Sequence, residues 1–254
     1  MASTESLISV QNLSKSFDQK IVLDGLSLEV QKGESMVIIG GSGTGKSVLI
    51  KCIMGLLMPT SGKIFLKNKD MTFASTNERQ KILNFGMLFQ GGALFDSLCV
   101  WENIAFGLIE GFAMDKASAQ KIALEKLDAV DLSKSVSNLY PSELSGGMQK
   151  RVALARAIAT NPDIIFFDEP TTGLDPIVSG KINELIQRCV KDLGATALTI
   201  THDMTSLRHI ADRVGLLFKG KLIWQGSVSE MDSTDNPFVK QFIHGLPDGP
   251  FTTD

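Results

Sequence analysis

The chain has 254 residues, of which 43% are hydrophobic and 21% charged, and these proportions exclude a disordered or collagen-like protein. Its net charge of −3 argues against binding nucleic acid through general basicity. Cys52, Cys99 and Cys189 are odd in number and lack CxxC spacing, so they indicate reduced core thiols. The polar residues 1–5 predict no signal peptide, and no apolar run reaches the roughly 18–20 residues of a membrane span.

Short apolar runs alternate with longer amphipathic stretches along the chain, which is typical of an α/β fold with a largely parallel core sheet. Strands of an antiparallel layer are predicted over residues 7–10, 26–30 and 63–66, and core strands over residues 36–39, 85–89, 164–167, 197–200 and 214–218. Helices are predicted over residues 45–57, 100–108, 116–130, 146–160, 177–192 and 204–211. Residues 219–221 predict a late hairpin. Because residues 91–162 contain only predicted helices, we interpret them as a helical insertion between two strands.

A glycine-rich segment, Gly40-Gly41-Ser42-Gly43-Thr44-Gly45-Lys46-Ser47, fits the pattern G-x-x-x-x-G-K-[ST] between a predicted strand and a predicted helix. Glycines allow backbone N–H groups to curl around phosphate oxygens, and the helix N-terminus adds its positive end. Lys46 is expected to reach the β- and γ-phosphates of a nucleotide, and the Ser47 hydroxyl to ligate Mg²⁺. This segment therefore predicts a phosphate-binding loop.

Two carboxylates, Asp168 and Glu169, follow the strand predicted at residues 164–167. Ligands of open α/β sheets bind at the carboxyl ends of strands. One carboxylate there is suited to holding Mg²⁺, and its neighbour to activating a water for attack on a γ-phosphate. Ser145, followed by Gly146 and Gly147, offers a second helix start that could bind phosphate, although a serine before a helix is by itself usually only a cap.

Several motifs occur in the order found in the ATPases of ABC transporters, which the chain resembles from about Phe17 to past His202. They are the Walker A segment at 40–47, Gln90 at a strand end, LSGGMQKR at 144–151, FFDEP at 166–170, GLDP at 173–176 and Thr201-His202-Asp203. The resemblance implies an α/β fold with a RecA-like P-loop core, an N-terminal antiparallel β layer and an inserted α-helical subdomain.

The resemblance also implies that residues 1–254 form a single ABC ATPase domain, which has the following parts. Residues 1–90 and 160–235 are the implied RecA-like core with its β layer, and residues 91–159 are the implied helical subdomain. Residues 236–254 are a C-terminal tail that is expected to contact the partner subunit.

The same resemblance implies ATP and Mg²⁺ as cofactors and gives each motif residue a role. Glu169 is the implied general base and His202 the residue that contacts the γ-phosphate and orients the water; with Lys46 and Gln90 they are the implied catalytic residues. The implied Mg²⁺ ligands are Ser47, Gln90 and Asp168. The implied nucleotide-binding residues are Phe17, Gly40, Gly41, Ser42, Gly43, Thr44, Gly45, Lys46, Ser47, Val48, Ser145, Gly146, Gly147 and Asp175.

Two of these residues keep a second interpretation. Phe17 lies where the family places an aromatic ring that stacks on adenine, and the alternative is a core aromatic residue. Asp175 precedes Pro176, which is also the pattern of a plain helix N-cap with proline at N1. For Asp175 both interpretations are compatible, because a capping aspartate can still face a partner subunit.

A narrower resemblance, to the ATPases of Mla/Mce-type phospholipid transport systems, rests on residues 88–97, 100–106 and 236–245 and on Met148. It implies a homodimer of ATPase subunits with integral membrane permease subunits, an Mce-domain lipid-binding protein and a small STAS-type accessory subunit. The implied location is peripheral, at the cytoplasmic face of the inner membrane. Gly91 departs from the pattern, since a serine is frequent there in those relatives.

Two segments are expected to contact partners. Asp96, Leu98, Val100 and Trp101 are predicted to line a groove for a cytoplasmic helix of the permease, although Trp101 could instead be a core residue of the helical insertion. The tail carries an apolar face that either packs on its own domain or reaches the neighbouring subunit. That face consists of Phe238, Val239, Phe242 and Ile243.

Three function classes are compared. The leading one is an ATP-hydrolysing subunit that drives transport of phospholipid or another hydrophobic molecule, and an importer of small solutes is its alternative because it shares every catalytic motif. A soluble ABC ATPase acting on nucleic acid is disfavoured, since the chain has neither a coiled-coil insertion nor a second ATPase domain. A scaffold that binds ATP without turnover is disfavoured by the intact Glu169 and His202.

Overall fold

The computed structural model describes residues 6–251, so the prediction of no signal peptide at residues 1–5 and the last residues of the tail, 252–254, lie outside the described part. The strands of that part are β1 (Ser6–Phe17), β2 (Lys20–Gln31), β3 (Ser35–Ile39), β4 (Ser61–Leu66), β5 (Lys69–Asp70), β6 (Phe85–Leu88), β7 (Ile164–Asp168), β8 (Thr196–Ile200), β9 (Arg213–Phe218) and β10 (Lys221–Ser227). The α-helices are α1 (Lys46–Met54), α2 (Thr76–Ile82), α3 (Val100–Phe106), α4 (Lys116–Ala129), α5 (Gly146–Ala157), α6 (Pro176–Leu193), α7 (Met204–Ile210), α8 (Val228–Ser233) and α9 (Pro237–His244).

The first of two compact units contains the chain up to Ile82 and the chain from Leu198 onward. In it β1 pairs antiparallel with β2 and β4, in the order β2-β1-β4-β5, which confirms the predicted antiparallel layer. A second sheet of this unit has the order β10-β9-β3-β8, with β3 parallel to β9. The predicted hairpin joins β9 to β10 through Lys219 and Gly220, which both have a positive φ, as a type I′ turn requires.

The second unit runs from Leu83 to Ala197. Its strands β6 and β7 are parallel, and β7 is buried from Ile164 to Phe167 because it has apolar side chains on both faces. Helices α3, α4 and α5 lie between these strands in the chain, together with one π-helical and two 3₁₀ turns. The described residues between 91 and 162 contain no strand, so the predicted helical insertion is confirmed.

The sequence pattern missed β5, α2 and α8 and misplaced several element ends. The predicted helix over residues 45–57 ends at Met54, because Gly55 adopts a φ of +78° at its C-cap. The predicted helix over residues 100–108 is α-helical only to Phe106 and continues as a π-helical turn, Gly107–Gly111. Hydrophobic periodicity does not predict helix α2, because the residue that this helix buries, Arg79, is charged.

The three cysteines are free and buried, as predicted. Burial raises the pKa of the Cys52 and Cys189 thiols to about 11, so both are protonated at neutral pH. Within residues 6–251, no helix is both long and apolar enough to cross a membrane.

The tail packs on its own unit. The ring of Phe238 on α9 lies 5.3 Å from that of Phe218 on β9 and 5.7 Å from that of Phe251, measured between ring centres. The Gln241 side chain accepts a 2.6 Å hydrogen bond from the Phe251 N–H, which holds the returning chain against α9. The apolar face of α9 is therefore partly covered in cis, since Val239 is buried and its other members stay half-buried, while contact of the tail with a partner subunit stays a prediction.

Candidate functional site

The predicted site residues divide between the two units. Phe17, the Walker A segment and His202 belong to the first unit. Gln90, the residues from Ser145 to Gly147, Asp168, Glu169 and Asp175 belong to the second.

The Walker A segment is the turn from β3 into α1, and its shape requires glycine. Gly45 has a φ of +105°, and a Cβ atom there would lie 2.8 Å from the Val22 carbonyl oxygen. A Cβ on Gly40 would collide with the Leu217 carbonyl oxygen. Since Gly45 is the N-cap of α1, no side chain competes with an anion for the first amides of that helix. The loop therefore has the glycine backbone and the uncapped helix start that a phosphate cradle requires.

Lys46 lies across this loop. Its Nζ donates hydrogen bonds to the carbonyl oxygens of Gly40, at 2.8 Å, and of Gly41, at 2.9 Å, and the residue is buried. The Thr44 hydroxyl donates to the same Gly41 oxygen at 2.9 Å. The ammonium is therefore held over the cradle by the loop itself, where it places a positive charge beside the glycine amides.

Phe17 ends β1 as an exposed ring, with 42% of its surface accessible, so the alternative of a core aromatic is wrong. The Lys15 ammonium lies 4.9 Å from the centre of this ring. An exposed aromatic face beside a cation is suited to stacking a planar base.

His202 follows β8 in a short turn that leads into α7, and its residue is exposed. Asp203 caps α7 by accepting hydrogen bonds from Thr205 N–H at 3.0 Å and Ser206 N–H at 3.2 Å. The Thr201 N–H bonds to the Ile38 carbonyl oxygen, which ties this turn to the end of β3 where the Walker A segment begins. The cap and the strand fix the backbone on either side of the imidazole.

In the second unit, the carboxylates of Asp168 and Glu169 stand where β7 ends. Glu169 adopts a φ of +52°, which is costly for a residue with a side chain. Its Oε2 accepts a 2.6 Å hydrogen bond from the Thr172 hydroxyl. Asp175 caps α6 by accepting from Ile177 and Val178 N–H groups at 3.0 Å, which confirms its interpretation as an N-cap.

Helix α5 begins at the LSGG segment. The Ser145 hydroxyl accepts from the Met148 N–H at 3.3 Å, so Ser145 is an N-cap, and Ser145 and Gly146 are exposed. A Cβ on Gly147 would lie 3.0 Å from a Val178 methyl group, which keeps this position small. The helix start thus presents exposed amides, as a phosphate site requires.

Gln90 lies exposed just after β6, and its carbonyl oxygen accepts a hydrogen bond from the Lys150 ammonium. Lys150 is buried, and this burial lowers the pKa of its ammonium while the Glu169 carboxylate opposes the shift. The second unit therefore brings Gln90, Lys150 and Glu169 together.

Lys150 and Thr172 were missed by sequence reasoning. Lys150 lies inside the LSGGMQKR motif and Thr172 between the FFDEP and GLDP motifs, but their contacts depend on how α5 and the end of β7 pack.

The predicted permease groove needs correction. Val100 is fully buried and Trp101 is 7% exposed, so both are core residues of the helical insertion. The Lys116 ammonium covers the Trp101 ring at 5.3 Å. Asp96 is exposed and Leu98 half-buried, so these two remain available to a partner.

No group of three or more His, Cys, Asp or Glu side chains suited to a metal occurs among residues 6–251. Mg²⁺ in nucleotide sites keeps several waters and takes one or two carboxylates together with substrate phosphates. The Ser47 hydroxyl in the first unit, and the Gln90 amide oxygen and Asp168 carboxylate in the second, are each the type of oxygen donor that this chemistry uses.

Comparison with known proteins places these motifs in context. A family model described as "ABC transporter" matches residues 23–172. The intermembrane phospholipid transport system ATP-binding protein MlaF of Haemophilus influenzae is 40% identical, over 97% of this chain and 93% of its own length. Protein TRIGALACTOSYLDIACYLGLYCEROL 3, chloroplastic, of Arabidopsis thaliana is 39% identical, over 97% of this chain and 76% of its own length.

A solved ATP-binding cassette, in a dimeric post-hydrolysis state bound to ADP and Pi, has a TM-score of 0.79 and 32% identity, covering 87% of this chain and 98% of its own. Together with the sheets and helices described above, this likeness confirms the predicted ATPase fold.

Proposed function

Since this chain belongs to the ABC transporter family, as an ATP-hydrolysing subunit, we propose that its ATP hydrolysis drives phospholipid transport between envelope membranes. The observation that carries this proposal is the likeness to MlaF of Haemophilus influenzae, which covers 97% of this chain and 93% of that protein. The name of that relative states intermembrane phospholipid transport. Because the likeness spans nearly the whole length of each chain, it includes the segments outside the nucleotide motifs.

In the first unit, the proposed roles concern binding of ATP. Phe17 stacks on adenine, and the cradle of Gly40, Gly41, Ser42, Gly43, Thr44 and Gly45 donates backbone N–H groups to the phosphates, followed by Ser47 and Val48. Lys46 leaves the Gly40 and Gly41 carbonyl oxygens and donates to the β- and γ-phosphates, so that its positive charge is paired with an anion. His202 contacts the γ-phosphate and orients the attacking water.

In the second unit, the proposed roles concern hydrolysis. Glu169 accepts the proton of the attacking water, and Thr172 holds the carboxylate in place through Oε2. Asp168 and Gln90 here, and Ser47 in the first unit, are the residues that would hold Mg²⁺, and the ion would supply neutralisation of phosphate charge. Ser145, Gly146, Gly147 and Asp175 act on the nucleotide of a second copy of this chain.

The proposed assembly is a homodimer of this chain with integral membrane permease subunits. An Mce-domain lipid-binding protein and a small STAS-type accessory subunit complete it, at the cytoplasmic face of the inner membrane. The tail, residues 236–254, is proposed to contact the partner subunit through surface that its cis packing leaves exposed.

The nucleotide roles are tested with Glu169→Gln, whose amide keeps the side-chain shape but accepts no proton. We expect loss of steady-state hydrolysis, retained ATP binding, and a dimer in Mg-ATP on size-exclusion chromatography. Ser145→Arg in the same background should keep ATP binding but lose the dimer, because the arginine fills the surface meant for the other copy's nucleotide. A Glu169→Gln chain that hydrolyses ATP normally with its permease would refute the base assignment.

The transport role is tested by purifying the chain with its permease and analysing the lipids of the complex. Phospholipid that co-purifies, and whose transfer between vesicles needs ATP, supports the proposal. A small polar solute as the transported molecule would instead identify an importer, and stable capture of nucleic acid would identify a soluble ABC ATPase that acts on nucleic acid.

A further inference from the structure

Residues 90–93, named the Q turn, accept hydrogen bonds from side chains on one face of α5. The turn closes with a 2.8 Å hydrogen bond from the Gly92 N–H to the Phe89 carbonyl oxygen. Lys150 donates to the carbonyl oxygen of Gln90 at the start of the turn. Arg156 donates to the carbonyl oxygens of Gly92, at 2.6 Å, and Ala93, at 2.7 Å.

The spacing of these contacts follows helix geometry. Lys150, Ala153 and Arg156 are three residues apart, so they share one face of α5. A Cβ built on Gly92 would lie 3.6 Å from the Ala153 methyl group, so the small residue in the middle lets the turn approach the helix. Two cationic side chains therefore flank a close backbone contact, and their hydrogen bonds are charge-assisted.

The Q turn has a backbone that needs support. Ala93 has a φ of +49° and Gly92 one of +75°. A residue with a side chain in this region is strained and persists only where its surroundings stabilise it. The side-chain donors on α5, Lys150 and Arg156, stabilise the turn, so its conformation depends on the position of α5.

We propose that Lys150 is a positioning residue, which fixes the Gln90 backbone to α5 so that the start of α5 and Gln90 move together. This rests on the proposed function, in which Ser145 and Gly147 bind the nucleotide of a second copy and Gln90 acts on the attacking water. Engagement of the helix start, one turn before Lys150, is then passed to Gln90 as a change in position. The Glu169 carboxylate lies near the same ammonium and stabilises its charge.

A purely structural role does not call for a charge at this position. Removing an ammonium from water is costly, and an apolar side chain of similar length fills the same space without that cost. The ammonium provides a donor that reaches the Gln90 carbonyl oxygen and a charge that interacts favourably with the Glu169 carboxylate, and both are lost in Lys150→Met.

The test uses the full chain assembled with its permease and compares Lys150→Met, Lys150→Arg and, as a matched control on the exposed surface of α4, Lys121→Met. We expect Lys150→Met to lower kcat about tenfold, with the KM for ATP and the ATP affinity within about twofold, since a small misplacement of a reacting group is enough for such a loss. Lys150→Arg should restore at least half of kcat, and Lys121→Met should leave it unchanged.

Unchanged kcat in Lys150→Met overturns the proposal, as does an equal loss in Lys150→Arg. A parallel loss of kcat, ATP affinity and melting temperature in Lys150→Met assigns Lys150 a structural role only and also overturns the proposal. If the role is structural, Lys150→Gln, which keeps a neutral donor, must show the same parallel loss. The cargo does not enter these readouts, so a non-lipid cargo contradicts the proposed transport role and leaves this test standing.

Discussion

The Thr172 hydroxyl donates a 2.6 Å hydrogen bond to Oε2 of Glu169, three residues earlier in the chain. Glu169 itself has a φ of +52°, so the carboxylate that ends β7 is held both by a strained backbone and by this hydroxyl. The contact restricts the rotation of the side chain. A carboxylate held in this way is preorganised for accepting a proton at one atom.

Thr172→Val is expected to lower kcat about tenfold at an unchanged KM for ATP, because it removes one charge-assisted hydrogen bond worth about 1.5 kcal/mol. Steady-state ATP hydrolysis by the permease complex measures this. Thr172→Ser keeps the hydroxyl and serves as the control with near-normal kcat. A Thr172→Val protein as active as the parent would show that Glu169 needs no such support.

Phe17→Ala is expected to weaken ATP binding by about 1–3 kcal/mol, or roughly 5–150-fold, since stacking on a base is worth this much. The melting temperature should hardly change, because the ring is exposed and contributes little to the core. Ile21→Ala, an exposed apolar residue on the neighbouring strand β2, is the control and should leave affinity unchanged. Titration with a fluorescent ATP analogue decides; equal affinities in both variants would contradict adenine stacking by Phe17.

The nucleotide motifs could be predicted from the sequence because they are local. The segment Gly40–Ser47 works through backbone amides and a helix start, and both follow from the order of strand, glycines and helix. The roles of Lys150 and Arg79 could not be predicted, since each contacts backbone carbonyls that are distant in sequence. A buried charged residue leaves no signature in hydrophobic periodicity.

Packing also decided between alternatives that the sequence left open. Trp101 fits a binding surface or a core equally well by composition, but the fold buries it under Lys116. Phe17 is the opposite case, because β1 runs further than its apolar pattern predicts and carries the ring out of the core. Burial of this kind depends on strand length and on neighbouring elements, which periodicity does not encode.

Arg79 on α2 is fully buried and donates to four backbone carbonyl oxygens. Two of them, those of Cys52 at 2.6 Å and Ile53 at 2.7 Å, lie at the C-terminal end of α1, the helix that follows the phosphate loop. The others belong to Thr72 and Ala74, each at 3.0 Å. The guanidinium therefore caps α1 and also opposes the negative end of its dipole.

Arg79→Met is expected to lower the free energy of unfolding by about 3 kcal/mol or more, because it leaves buried carbonyl oxygens without their donor. Arg208→Met is the control: Arg208 forms an exposed ion pair with Asp232, and such pairs contribute at most about 1 kcal/mol. Urea unfolding of both variants measures the difference. Equal midpoints would show that water or another side chain replaces the cap of α1.

Leu98→Glu is expected to release the chain from its permease without changing ATP binding. Leu98 is half-buried, and its backbone is held because its carbonyl oxygen accepts a 2.8 Å hydrogen bond from the buried Asn103 side chain. The substitution therefore leaves the backbone anchored and places a charge in an apolar contact, where it has no partner.

Val100→Glu is the matched control, because Val100 is fully buried in the helical insertion and a charge there should lower the melting temperature and disrupt assembly together. Pull-down with the permease, run beside a nucleotide-binding assay, separates the two variants. Leu98→Glu should lose assembly alone, at a normal melting temperature. If Leu98→Glu instead keeps assembly and loses nucleotide binding, residues 96–98 stabilise the fold and do not contact the permease. Coupling to the membrane must then pass through another surface.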